Sequence, residues 1–190
     1  MQKGRRREAG EDGHFGCGMT LYAELLGDGL ARLPAPLRAI HVRPGTAAYR
    51  GDVEVRGATA AFARLCARAA GLPSAYRGPI EVEIVAADGA EQWTRRFGPH
   101  AMRSRLRARG GHLYERLGPV RFAFALAADE AAIHWRVARV SVCGLPLPAA
   151  WFAGVRAVES ADGDRYRFDV RAVLPGVGTI VHYRGSLDVL

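Results

Sequence analysis

The stretch WTRRFGPHAMRSRLRARGGHLYERLGPVRFAFAL, residues 93–126, alternates apolar and polar side chains over four strand lengths and is interrupted by glycine each time. Trp93 and Phe97, Met102 and Leu106, Leu113 and Leu117, then Val120, Phe122, Phe124 and Leu126 recur at period two. That is the spacing of half-buried antiparallel strands. Gly98-Pro99, Gly110-Gly111 and Gly118-Pro119 separate the runs, and these residue types supply turn conformations. Arg-Phe-Gly-Pro at 96–99 and Arg-Leu-Gly-Pro at 116–119 lie one hairpin apart, which reads as turn chemistry, not as an internal repeat.

The same period extends in both directions. Upstream are Tyr49, Gly51, Val53 and Val55, then Ile80, Val82 and Ile84 with Glu81 and Glu83 on the other face, and a turn at Asp88-Gly89. Downstream are Ile133, Trp135 and Val137, a break at Gly144–Pro148, and strands near Val155 and over Tyr166–Ala172 joined at Asp162-Gly163-Asp164. Thr179–Val189 forms the last strand. The start of the chain is helical in period: Thr20 is placed to cap a run of Leu21, Leu25 and Leu26, and Leu30, Leu33, Leu37 and Ile40 follow. A further short helix is predicted over about Ala58–Ala70, with Phe62, Leu65, Cys66 and Ala69 on one stripe. Ala123, Ala125 and Ala127 offer it a flat face on the outside of the sheet. The predicted fold is mainly β (α+β): a strongly curved antiparallel meander or barrel-like sheet of nine to ten strands, with two or three short N-terminal helices packed against it.

The chain has 190 residues, 49% of them hydrophobic, enough for a substantial core. Residues 1–18 have no apolar period and are expected to be a disordered tail, with 19–190 as a single domain and Met19 as a second candidate start. The net charge is +8, but among 27 Lys and Arg residues Lys3 is the only lysine. Coding bias toward arginine accounts for that, so nucleic acid is not the expected partner. Cys17, Cys66 and Cys143 make no metal or disulfide spacing and suit a reducing compartment. Arg5-Arg6-Arg7 is not followed by an apolar segment, and no run is long enough to span a membrane. A cytoplasmic location is expected.

No phosphate loop, nucleophile elbow or zinc-binding helix motif is present, and neither a cofactor nor a metal is expected. What stands out are polar residues in apolar phase: Arg95 between Trp93 and Phe97, Ser104 between Met102 and Leu106, Glu115 between Leu113 and Leu117, Tyr183 between Val181 and Gly185, and Arg139 two beyond Val137. A core-facing charge is costly unless paired. Arg95, Glu115 and Arg139 are therefore expected to meet one another or a ligand, with Ser104, Trp93, Trp135 and Tyr183 beside them. Such a group is either a structural ion pair or the polar end of a ligand site. Glu115, His41 and Tyr183 are the candidate catalytic residues, although His41 also suits a cation at a helix C-terminus. Asp169, His182 and Arg184 fall on the solvated face. Arg103, Arg105, Arg107 and Arg109 form a one-sided stripe read as a solvated or edge-protecting face, with phosphate contact as the alternative.

The segments LYAELLGDGLARLPAPLRAIH, WTRRFG, SRLRARGGHLYERLGPVRF, GLPLP, YRFDV and YRGSL, in this order, resemble the bacterial family domain of unknown function 4166 (DUF4166) from about Leu21 to Val189. His41, Trp93, Phe97, Ser104, Glu115, Gly118, Pro146, Pro148, Phe168, Asp169, Tyr183 and Gly185 match its pattern. The resemblance implies no activity. It does imply a partnership, because members occur alone or joined to a reductase-like domain. The leading expectation is a module that binds a small hydrophobic or amphipathic molecule inside a curved sheet and is not itself an enzyme. The alternatives are an enzyme or an accessory domain of a reductase-like enzyme that uses Glu115 as acid and base, and polyanion binding through Arg103–Arg109.

Overall fold

A computed structural model describes residues 19–189; the tail expected at 1–18 lies outside them. Three short helices open the described chain: α1 (Leu21–Leu26), α2 (Asp28–Arg32) and α3 (Ala35–His41). Thr20 caps α1, its hydroxyl accepting from the Ala23 amide at 3.3 Å. Gly27, at φ 52°, splits the expected first helix in two, because a positive φ ends an α-helix. Strand β1 (Gly45–Gly57) follows, then α4 (Ala61–Ala69). A meander runs through β2 (Tyr76–Ala87), β3 (Ala90–Phe97), β4 (His100–Arg109), β5 (His112–Leu117), β6 (Val120–Ala128) and β7 (Ala132–Val142). The short β8 (Leu145–Leu147) and a 3₁₀ turn at Ala149–Phe152 precede β9 (Gly154–Asp162), β10 (Arg165–Leu174) and β11 (Gly178–Asp188).

Ten of these strands close into an antiparallel barrel, in the order β6-β5-β4-β3-β2-β1-β11-β10-β9-β7 and back to β6, with β8 as an added strand on β7. β7 makes the seam. One edge pairs with β6 along its length, and the other is divided between β9 at Ala132–Arg136 and β8 at Val140–Val142. Two glycines permit the closure between β1 and β11. A Cβ on Gly51 would sit 1.8 Å from the Ser186 carbonyl oxygen, and one on Gly185 would sit 2.2 Å from the Asp52 oxygen and 2.7 Å from the Phe168 ring. Only bare backbone fits there.

Helices cover the two ends. α1 packs on β4, β5 and β6, and α3 on β9 and β10, burying Leu21, Tyr22, Leu33 and Leu37 in the same core as the barrel interior. Each such side chain contributes roughly 1.5–3 kcal/mol. α4 covers the opposite end, against β11, and corrects the expected packing. It buries Ala63 and Ala67 on Ile180, while Phe62 and Leu65 are each 62% exposed. The larger side chains do not fit the narrow gap between helix and strand. The Ala125–Ala127 face stays open.

Gly185→Ala is expected to lower stability by about 1–3 kcal/mol, seen as a thermal midpoint several degrees lower. Gly29→Ala, in α2, meets its neighbours only at ordinary contact distance and is expected to raise that midpoint. Scanning calorimetry on both variants tests the closure.

Candidate functional site

Alternation drives side chains from every strand into the barrel. Trp93, Phe122, Phe124 and Trp135 all point inward and are buried, yet a cavity of about 160 Å³ remains. A cavity near 150 Å³ takes a benzene-sized guest. It runs from Arg95, Glu115 and Glu159 to Cys66 on α4 and Phe152 on the 3₁₀ turn.

Three residues selected by strand phase meet at its wall: Arg95 and Glu115 line it, and Ser104 bonds Arg95. β3 and β4 pair Trp93 with Ser104, and β4 and β5 pair Leu106 with Glu115. Arg95 Nη1 donates to Ser104 Oγ at 3.0 Å and lies 3.8 Å from Glu115 Oε1, with the guanidinium carbon 4.7 Å from the Trp93 ring centroid. Burial works against the guanidinium charge, while Tyr183 and Glu115 favour it and prevail. Burial pushes the Tyr183 hydroxyl up to about 12, so at neutral pH it keeps its proton. Trp135 also lines the cavity, and its Nε1 has no partner.

Arg139 does not join them. A β-bulge in the β6–β7 ladder pairs Ala123 with Arg139 and Phe124 with Val137, skipping Ala138. One extra residue reverses the side-chain phase, so Val140 is buried and Arg139 exposed. The Arg103–Arg109 arginines are exposed on β4, inside the wall between β3 and β5; there is no edge for them to protect. His41 ends α3 as expected but does not line the cavity. It is fully buried behind Glu159, with Nε2 2.7 Å from Glu159 Oε2 and its ring stacked on Tyr22 at 3.6 Å.

Strand phase also held signals not taken up. Glu91 lies two residues before Trp93, and Glu159 falls in the Val155, Ala157, Ala161 alternation; both are buried. Glu91 Oε2 accepts from Trp93 Nε1 at 2.8 Å. Burial holds its carboxyl above the usual range. Burial and the neighbouring Glu159 raise the Tyr166 hydroxyl well above its ordinary value. Among the described residues no group of three or more His, Cys, Asp and Glu is placed to hold a metal ion, and no helix is long and apolar enough to cross a membrane.

The family model "Domain of unknown function (DUF4166)" matches residues 33–187. No curated protein matches the chain. Among solved structures, the crystal structure of Rv2717c from M. tuberculosis is similar, with 13% identity and a TM-score of 0.43, over 83% of this chain and 99% of that one.

Because the folded Glu91 carboxyl titrates above its ordinary 4.5, the native state gives up stability as pH rises from about 4 through that raised value. Glu91→Gln, whose amide oxygen still accepts from Trp93, is expected to gain stability relative to the parent between pH 4 and pH 7. Denaturant unfolding across that range checks the sign; a difference that does not change with pH refutes it.

Proposed function

We propose that this chain, which belongs to the DUF4166 family, binds a small amphipathic molecule inside the barrel, its apolar body in the cavity and its polar end at Arg95. The observation that carries this reading is the incomplete pairing of Arg95. A guanidinium offers five N–H donors, and both of its polar contacts, Ser104 and Glu115, are made by Nη1. The Glu115 contact, at 3.8 Å, is a charge contact without a hydrogen bond. A charge held in an apolar cavity with donors to spare suits a ligand group that accepts hydrogen bonds, such as a carboxylate or carbonyl. Trp135 Nε1, also unpartnered on the cavity wall, supplies a second donor. Glu115 offsets the arginine charge while the cavity is empty, and the indole faces of Trp93 and Trp135 pack the apolar part.

Native mass spectrometry of the purified protein, with organic extraction of whatever it carries, is expected to show a retained small molecule with an apolar body. Binding of benzoate, a single aromatic ring with one anionic group and so of the size the cavity takes, tests the roles of the residues when followed by titration calorimetry. Arg95→Met is expected to weaken it by about ten-fold or more, the worth of a charge-assisted hydrogen bond, whereas Glu115→Gln leaves it equal or tighter. Equal affinity in the parent and Arg95→Met would place the polar end elsewhere. Complete loss on Glu115→Gln would reverse the assignment of the two charges.

A further inference from the structure

On one half of the outer wall, arginines meet carboxylates: Arg50 Nε lies 3.0 Å from Glu81, Arg165 Nε 2.8 Å from Asp188 and Arg184 Nη2 3.0 Å from Glu54. The other half is unbalanced. Between Gly98 and Val158 the only carboxylates are Glu115, which points inward, and Asp129 and Glu130 in the β6–β7 turn. The strand register then sets arginines opposite arginines. Arg105 faces Arg116, which faces Arg121, and farther round the barrel Arg136 faces Arg156, which faces Arg171. All six are exposed. Like charges directly opposite cost stability. Coding bias explains arginine in place of lysine, but it does not remove every outward carboxylate from four consecutive strands.

The unbalanced wall abuts an apolar end. Arg116 Nε donates to the Gly118 carbonyl at 3.3 Å, and Gly118 lies against the Ala69 carbonyl of α4. On that helix Phe62 and Leu65 point to solvent, while at the same end of the barrel Leu145 is 69% and Trp151 56% exposed. Both segments stand at the mouth of the cavity, which Cys66 and Phe152 line. The chain from Gly57 to Ile80 holds three arginines and no carboxylate, and 143–155 holds no charge of either sign.

We infer that the α4 end and the adjoining β4–β6 face dock onto an anionic lipid bilayer. Phosphates alone would account for the arginines, but exposed Phe, Leu and Trp beside them gain free energy only where hydrocarbon is available. A short helix with Phe and Leu outward and Arg64 and Arg68 on its flank is built like an interfacial anchor, and Trp151 belongs at the headgroup level. Cationic side chains near an anionic leaflet add to this. A nucleic acid would leave the apolar end without a role. The inference stands on the outer surface and does not need the cavity to hold a ligand.

The test is co-sedimentation of the full chain with vesicles of phosphatidylcholine alone or mixed with phosphatidylglycerol, at low and high salt. Sedimentation with the anionic vesicles only, weakened by salt, is expected. Trp151 fluorescence should shift to the blue on binding, since Trp93 and Trp135 are only 3% and 4% exposed, and Trp151→Phe should abolish the shift. An arginine near such a surface is worth about five-fold in partitioning. Arg105→Glu with Arg116→Glu, and separately Phe62→Ser with Leu65→Ser, are each expected to reduce binding by about ten-fold or more. All four side chains are exposed, so the thermal midpoint and benzoate binding should hold. No sedimentation with anionic vesicles overturns the inference, whether or not heparin or single-stranded DNA binds. Binding indifferent to Phe62 and Leu65 also overturns it. Vesicle binding with no benzoate uptake would sustain docking while sinking the cavity reading, and the converse would do the opposite.

Discussion

Closure of the sheet between β1 and β11 is the constraint on which the molecule depends. Once ten strands form a ring, every second side chain of each is committed to one shared interior, and the sheet keeps no free edge to solvate a misplaced charge. Gly51 and Gly185 are where the two ladders approach too closely for any Cβ. The Phe168 ring covers Gly185 from the neighbouring strand, replacing the packing that a side chain would supply. Closure also fixes the interior volume. Ten strands enclose more space than their inward residues fill, even with four large aromatics among them, and the remainder is the cavity.

Much of this was legible in the sequence because period two is a local property. Arg95, Ser104 and Glu115 could be placed together without coordinates, since three consecutive hairpins with two-residue turns leave little freedom in register. Legibility failed where a single residue changed the phase or where packing overrode pattern. Arg139 lies beyond a bulge at Ala138 that no residue type announces. Phe62 and Leu65 form a stripe that reads as buried, but the helix lies so close to β11 that only alanine fits beneath it. Glu91 and Glu159 were in phase all along. Glu91 directly follows a turn, where the Trp93–Phe97 alternation has only begun, and the Glu159 alternation runs through alanines, which mark an inward face weakly.

The polar groups inside the barrel fall into two kinds. His41 and Glu159 are a close pair: a 2.7 Å contact, Tyr22 stacked on the imidazole, and the histidine set behind Glu159, which itself lines the cavity. The pair links α3 to β9 and so holds the helical cap on its end of the barrel. Losing one partner would strand the other in the core, at a cost of several kcal/mol if it stayed charged. Within that arrangement the imidazole Nδ1 and the Tyr22 hydroxyl are buried without hydrogen-bond partners. Arg95 differs in its pairing, since it engages one terminal nitrogen only and touches its counter-charge beyond hydrogen-bond range.

That difference marks the candidate site more firmly than burial does. A fold can keep a buried polar group by pairing it at short range, as it does for Glu159 with His41 and for Glu91 with the Trp93 indole. Arg95 stands on the cavity wall with Ser104 and Glu115 both on one nitrogen, and an unpartnered indole N–H lies on the same wall, so donors remain there for a group that accepts hydrogen bonds. Replacing Arg95 by an apolar residue would leave Glu115 without its counter-charge inside the barrel, so the pair serves the fold as well as the proposed ligand. The cavity reaches α4, at the same end where the apolar and arginine-rich surfaces meet. The entry for such a molecule and the surface on which the barrel would rest are therefore the same face.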